Sequence, residues 1–393
     1  MLKQVFDKEQ LSKALSSSDV WKWGLLSNFK EIEDALDYIV EHWKKYDVNL
    51  SSLKKKIAKK KPVFIPADMK DAFAIKLLDR FIRRIYKVRQ SDRNRIIRQL
   101  ITLLKDSGNY HIIRLDIKDC YETIKFEKII SKFEDELILS PECIKLLRRI
   151  SNDLQTVHGV QGLPRGLSIS PTLAELYLEN LDKRISSHPD VIYSARYVDD
   201  IIILTPANRG ATVHRDIENF ASYIGLAINE NAEKQYSGPS DSAEFEYLGY
   251  SIKVKRKSNA ENKVNVTISE SKAKRIKTRI ALALYDHKKQ NNMQLLKRRL
   301  EYISMLKRVR KSKNGDLLAG IAHNYQYVTD EFECLKPLDG FLLQQLANPR
   351  FQLNQREKDK LRKISIYGNA RKKKIGKFGK KQNAEIMRVW QNA

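Results

Sequence analysis

Between Val191 and Leu204 two β-rich runs are interrupted by Val198-Asp199-Asp200. That interruption limits the fold more than any other stretch of the chain. Aspartate is disfavoured inside strands, so a pair of them between β-branched runs reads as the polar turn of a hairpin. Asp is common in turns, but a tight hairpin turn is ordinarily built with Gly or Asn, and neither is present. The pair therefore needs a reason beyond chain reversal. Another aspartate ends the short β-rich run His111 to Asp116. Carboxylates gathered at strand ends repel one another unless cations lie between them. Two Mg²⁺ ions suit that gap, because Mg²⁺ prefers carboxylates plus substrate phosphates to an all-protein cage. Ions about 3.5–4 Å apart clamp the attacking and leaving oxygens of an in-line phosphoryl transfer.

The rest of the pattern frames these two points. Residues 1–60 read as helical, with Ile32, Ala35, Leu36 and Ile39 at helical spacing, and Lys61-Pro62-Val63-Phe64-Ile65-Pro66 breaks the run. Residues 67–106 read as helices and a basic loop, with Phe73, Ile75, Leu78 and Ile82 as an apolar stripe. Phe126 to Leu137, Leu173 to Ile185 and Val213 to Ile224 have helical periodicity, and Pro171 suits the start of the second. Glu244 to Val254 is β-rich again. The order β-α-(α)-β-β-α-β over 111–254 predicts an antiparallel sheet backed by helices, as in the ferredoxin-like arrangement. Lys272 to Tyr285 and Met293 to Val309 read as basic helices. The expected class is α+β.

Charge points to the partner. The chain has 74 Lys+Arg and 48 Asp+Glu, a net +26. Residues 271–393 hold 30 and 10 of these, a net +20, whereas residues 1–270 hold 44 and 38, a net +6. An excess this large and this local fits a nucleic acid. The run Arg371-Lys372-Lys373-Lys374, followed by Lys377, Lys380 and Lys381, reads as a flexible arm. Cys120, Cys143 and Cys334 show no CxxC spacing, which argues against a disulfide framework or a zinc site and fits a reducing cytosol. The longest apolar runs, such as Ile201 to Leu204, are too short to span a bilayer. No apolar stretch follows Met1-Leu2-Lys3-Gln4, so no signal peptide is expected and neither is a membrane partner.

Five segments in order resemble the reverse transcriptases. Tyr197-Val198-Asp199-Asp200 resembles their YxDD box, and Asp116 followed by Tyr121 resembles their first carboxylate motif. Gly162-Leu163-Pro164-Arg165-Gly166-Leu167-Ser168-Ile169-Ser170-Pro171 is similar to the LPxGxxxSP box. Gly225-Leu226-Ala227-Ile228-Asn229 leads to Lys234, and Phe245-Glu246-Tyr247-Leu248-Gly249-Tyr250 looks like the primer-grip hairpin. The resemblance covers roughly residues 70–310. It implies a right-hand polymerase: a helical N-terminal extension (1–66), fingers (67–110 with part of 126–165), a ferredoxin-like palm (111–254), an α-helical thumb (255–345) and a basic C-terminal extension (346–393).

The resemblance also implies roles. Asp116 and Asp199 hold two Mg²⁺ ions (Mn²⁺ is the alternative), with a carbonyl from Ile117 and with Asp200 as the acidic neighbour. Tyr121 lies under the sugar of the incoming nucleotide and favours deoxynucleotides. Lys234 protonates the leaving pyrophosphate. In the fingers, Lys87 to Ile96 resembles a basic hairpin that grips the triphosphate, with Arg89 and Arg95 matching best; a planar guanidinium suits phosphate oxygens. Gly166 lets backbone approach nucleotide or template. Arg165 stands where Gln is usual, and either contacts a phosphate or pairs with an acidic neighbour. Tyr247, Leu248 and Gly249 form the primer grip.

Absent segments narrow the branch. Retron enzymes carry NAxxH and VTG segments that this chain lacks, and group II intron enzymes often carry a zinc-bearing endonuclease that its cysteines cannot build. The Arg-Gly box and the helical segment ending in Gly320-Ile-Ala-His-Asn-Tyr325 are most similar to bacterial defence-associated and abortive-infection reverse transcriptases. That implies a bacterial or phage-encoded cytoplasmic enzyme making antiviral DNA from dNTPs. Its template is RNA, often a dedicated noncoding RNA. A DNA primer or product and either self-assembly or a companion defence protein complete the set. Three alternatives stay open: a template-independent or protein-primed DNA polymerase, an RNA-making polymerase on the same palm, and a silent RNA-binding assembly subunit.

Overall fold

The computed structural model describes residues 3–58, 61–257, 260–310 and 316–391. The chain divides into two compact units. The first comprises residues 1–92 and 113–237, the second residues 93–112 and 238–393.

In the first unit four helices run from Lys8 to Tyr46. Their apolar residues, among them Leu11, Leu25, Ile39 and Trp43, belong to one buried cluster that also takes in Phe73, Phe81, Leu115, Ile201 and Ile217. Residues 47–58 depart from the helical expectation. Strands β1 (Lys54–Ala58) and β2 (Lys61–Ile65) pair antiparallel, from Lys54 opposite Ile65 to Ala58 opposite Lys61. The run of lysines hid the strand, because every residue of β1 is exposed and none alternates. Lys59 and Lys60 of this basic cluster lie outside the described residues. The helix Met69–Ile85 follows, capped by the Asp68 carboxylate, which accepts from the Lys70 and Asp71 amides.

Asp71 on that first turn is buried, beside Asp68, and burial pushes its carboxyl up to about 6. A raised folded pKa stabilises fully below the free value of 3.8 and is lost as pH rises through about 6. Asp71→Asn should therefore flatten the stability curve across that window and leave the protein more stable than the wild type at neutral pH. Denaturant unfolding at a series of pH values checks this, and an unchanged curve contradicts it.

Strands β3 (Tyr110–Asp116), β4 (Tyr193–Tyr197), β5 (Asp200–Pro206) and β6 (Tyr236–Pro239) form one sheet in the order β4-β5-β3-β6. Ile201 to Leu204 are buried without a break, so both faces of β5 are covered. The fourth strand is not the one expected. Tyr236–Pro239 carries a Gly and a Pro and gives no β signal, whereas the β-rich stretch 244–254 belongs to a second sheet.

In the second unit β7 (Glu244–Tyr247), β8 (Tyr250–Lys255) and β9 (Lys263–Ile268) form that antiparallel sheet. Tyr250, Ile252 and Val254 face inward while Ser251, Lys253 and Lys255 alternate outward. The helices Glu270–Gln290 and Met293–Ser304 follow. The second stops short of the expected Val309, because Met305 turns extended and β10 (Leu306–Arg310) begins. It pairs antiparallel with β11 (Leu317–Ala319) and parallel with β12 (Ile375–Gly376).

The basic C-terminal segment is not a flexible arm. The helices Gln355–Arg362, Ile366–Arg371 and Lys380–Arg388 fold onto the second unit's core through Leu361, Ile366, Ala370 and Ile386, and Trp390 just beyond the last joins them. Lys374 lends its carbonyl to the Leu306 amide at 2.8 Å. Apolar residues on either side of the lysine run supply this anchorage, which a charge count does not register. Trp390 is buried and its indole N–H donates to the Arg279 carbonyl at 2.9 Å. Trp390→Ala should cost about 3–5 kcal/mol, read as a lower denaturation midpoint; a shift near zero would show the segment to be dispensable.

Candidate active site

Asp116 ends β3, and Asp199 and Asp200 lie at the β4–β5 turn. One carboxylate oxygen from each lies within 4.8 Å of the other two, and Asp116 is buried. Tyr197 pairs with Asp200, so Val198 and Asp199 are the two loop residues. Val198 has φ +61° and Asp199 does not have positive φ, the sign pattern of a II′ turn. Glycine is favoured at that first position. A β-branched residue there is strained, by about 1–3 kcal/mol.

Arg196 restrains the turn. It is buried, and its Nη1 donates to the Val198 carbonyl at 2.8 Å. Its fork binds both oxygens of Asp182 at 2.7 Å, and Nη2 also reaches Glu175 at 2.7 Å. The first sheet positions Asp116 equally firmly. The Ile117 amide donates to the Asp199 carbonyl at 3.0 Å, the Lys118 amide to Ala227, and the Asn229 amide to the Asp116 carbonyl. Asn229 Nδ2 donates to Asp116 Oδ1 at 2.8 Å and Lys234 Nζ to Oδ2 at 3.1 Å. Arg114, buried in β3, donates to the Glu233 carbonyl at 3.1 Å and reaches Asp200 at 3.5 Å.

Burial raises the Asp199 carboxyl above its ordinary range, and the Asp116 charge adds to this. Burial raises Asp200 as well, against the pull of Arg114. The donor set is hard oxygen throughout, and its carboxylates are held together at an electrostatic cost. That chemistry fits a divalent cation of the Mg²⁺ type.

Tyr121 sits on the short helix Cys120–Thr123, with its carbonyl accepting from the Leu163 amide at 2.7 Å. The Arg165 guanidinium lies 5.3 Å from the Tyr121 ring centroid. It pairs with Glu122 through Nε (2.7 Å) and Nη2 (2.9 Å), so of the two fates expected for Arg165 the acidic neighbour is realised. Lys61 of β2 joins the cluster, 2.5 Å from Asp119 and 3.3 Å from Glu122. Gly166, at φ +101°, does permit a close approach, but to this chain's own strand: an added Cβ would lie 2.5 Å from the Phe64 carbonyl. Phe64 also donates its amide to the Arg165 carbonyl at 2.7 Å.

The basic stretch 87–96 is not a hairpin. It is an exposed loop running into the helix Arg93–Lys105, whose Ile96, Ile97, Leu100 and Leu104 make a buried stripe. Arg89 and Arg95 are exposed, and neither side chain makes a hydrogen bond or ion pair among the described residues. In the second unit, Leu248 (φ +47°) and Gly249 (φ +83°) form the β7–β8 turn, and Tyr247 is buried. Arg93 donates to the Leu248 carbonyl at 2.9 and 2.6 Å and to the Asn324 carbonyl at 2.6 Å, and it lies 4.9 Å from the Tyr250 ring centroid.

Arg114, Arg196, Glu122 and Lys61 were given no role at the site by the sequence, and Asn229 stood there only as the end of a motif. Arg114 and Arg196 adjoin the acidic motifs in sequence, but nothing in periodicity shows that a guanidinium is turned inward.

Comparison with known proteins agrees with this geometry. Residues 74–252 match the family described as reverse transcriptase (RNA-dependent DNA polymerase). Over 121 residues the chain is 27% identical to the retron Ec73 reverse transcriptase of Escherichia coli, covering 29% of this chain and 38% of that protein. The match thus spans well under half of that relative's length. Among solved structures, apo telomerase from Candida tropicalis, truncated from its C-terminal domain, aligns with a TM-score of 0.36 and 12% identity over 56% of this chain and 59% of that one. A score that low carries no argument about the fold. The carboxylate cluster falls inside the segment 74–252 that is similar to the reverse transcriptase family.

Proposed function

We propose that the chain is an RNA-directed DNA polymerase acting in bacterial antiviral defence. One observation carries the polymerase reading: three carboxylates converge within 4.8 Å inside a reverse transcriptase domain. In this reading the sheet β4-β5-β3-β6 is the palm, since its strand order is that of a β-α-β-β-α-β unit. Residues 67–110 with part of 126–165 act as fingers and 255–345 as thumb, between the extensions 1–66 and 346–393.

Asp116 and Asp199 would hold the metal ions, with Asp200 adjacent and the Ile117 carbonyl as a further ligand. Bound metal supplies charge neutralisation on the transferring phosphate and a more acidic primer hydroxyl. The chain supplies orientation. Asn229 and Lys234 fix Asp116, Arg114 steadies Asp200, and Arg196 keeps the turn strained in its working form. Lys234 Nζ carries the proton for the leaving pyrophosphate. Tyr121 lies under the sugar and excludes a 2′-hydroxyl. Arg89 and Arg95 meet the incoming triphosphate, and Tyr247 to Gly249 hold the primer end. The net +20 of residues 271–393 meets template and product, so affinity falls steeply with salt.

The defence reading rests on the Arg-Gly box, and the retron match lies within bacterial enzymes too. It assigns a noncoding RNA template and either a homo-oligomer or a companion protein. Sequencing the RNA and DNA that copurify with the full chain tests it. One dominant RNA with complementary DNA is expected; a random RNA population without complementary DNA would contradict it.

A further inference from the structure

We propose that Arg165, locked by Glu122, is a positioning residue that sets sugar discrimination by bracing the Tyr121 ring. The proposal rests on the polymerase reading above and concerns how that same site chooses its nucleotide.

The geometry has three parts. First, Tyr121 and Glu122 are consecutive residues of a four-residue helix that is too short to hold its side chains by itself. Second, the Arg165 guanidinium uses two of its three nitrogens on Glu122, in the parallel fork that fixes the plane as well as the distance. Third, that fixed plane sits 5.3 Å from the Tyr121 ring centroid, within range of a cation–ring attraction. The backbone closes the arrangement. Leu163 donates to the Tyr121 carbonyl at 2.7 Å, and an added Cβ on Gly162 would lie 2.4 Å from the Glu122 carbonyl. The helix and the loop bearing Arg165 are thus pressed together with no room to slide. Lys61 reaches Glu122 and Asp119, so the hairpin β1–β2 is tied to the same brace.

A steric filter works only as well as its wall resists displacement. A tyrosine free to change rotamer yields to a 2′-hydroxyl at little cost, whereas one held against a fixed guanidinium does not. Arg165 therefore acts through the ring. Its loss should alter the ratio of deoxynucleotide to ribonucleotide use more than it alters deoxynucleotide use.

The experiment measures kcat and KM for a dNTP and its matching NTP in the full-length wild type, Arg165→Met, Arg165→Lys, Tyr121→Ala and the double variant Tyr121→Ala/Arg165→Met. In Arg165→Met the dNTP:NTP ratio of kcat/KM should fall about tenfold, in line with a half-buried cation–ring contact. Arg165→Lys keeps the charge without the fork and should leave the ratio low. Tyr121→Ala should lower the ratio further, and adding Arg165→Met to it should change nothing more. Three results overturn the proposal: an unchanged ratio with KM raised equally for both nucleotides, a full recovery in Arg165→Lys, or additive losses in the double variant. A wild type that incorporates neither nucleotide overturns the polymerase reading itself, and is told apart from these by its zero baseline.

Discussion

Asp199→Asn combined with Asp200→Asn should cut Mg²⁺-dependent dNTP incorporation by about 10³-fold or more, since metal-centred charge stabilisation is worth several kcal/mol at about 1.4 kcal/mol per tenfold. The same variant should melt higher than the wild type in EDTA at neutral pH. The argument is one of linkage. Both carboxyls have raised pKa values in the folded protein, chiefly through burial. A raised carboxyl pKa stabilises below its unfolded value and ceases to do so as pH rises through the folded one. At neutral pH the wild type has lost that contribution, and neutral amides restore it. Added Mg²⁺ should then raise the melting temperature of the wild type by mass action and leave the variant unmoved. Differential scanning fluorimetry in EDTA and in Mg²⁺ reads all of this without a polymerase assay. A variant that incorporates dNTPs normally would remove Asp199 and Asp200 from the mechanism.

Arg196→Met should be the most disruptive change outside the carboxylates. Arg196 is buried and holds Asp182, Glu175 and the Val198 carbonyl together. Removing one partner from a buried charge cluster leaves the others uncompensated, at a cost of about 3–5 kcal/mol. A second effect should appear even where the variant remains folded. The Val198 conformation at φ +61° is tolerated because its surroundings impose it. Without the Arg196 bond the turn relaxes and Asp199 leaves its place beside Asp116. Incorporation measured well below the melting temperature should therefore fall by a further tenfold or more, that bond's worth at about 1.4 kcal/mol per tenfold. Denaturant unfolding and primer extension on the same preparation separate the two effects. Loss of stability with full activity in the cold would show that the turn holds without Arg196.

Much of this site was legible in the sequence, and the reasons are physical. Asp199 and Asp200 break a strand pattern that tolerates no aspartate without cause, and Asp116 ends a β-rich run, so the three acids stood out against their local context. Strands buried on both faces, such as Ile201 to Leu204, and helices with regular stripes, such as Phe126–Glu136, were equally plain. What escaped lacked a period. Strand β6 spells Tyr-Ser-Gly-Pro and is held by its neighbours rather than by propensity. Strand β1 spells Lys-Lys-Lys-Ile-Ala and is exposed throughout, indistinguishable in sequence from a solvated loop. The lysine-rich C-terminal run was read as an arm because net charge outweighed a few widely spaced anchors, Ile386 and Trp390 among them. The bracing roles of Asn229, Arg114 and Arg196 were invisible for another reason. A polar residue becomes a brace only through the direction in which its side chain is turned, and that direction belongs to tertiary structure.

Primer extension by the full-length protein on a defined RNA template, with Mg²⁺ and all four dNTPs, tests the central claim most directly. The account predicts DNA complementary to the template, absent in EDTA and absent from the Asp199→Asn/Asp200→Asn variant. DNA of a sequence unrelated to the template, or incorporation that survives the loss of both aspartates, would contradict it.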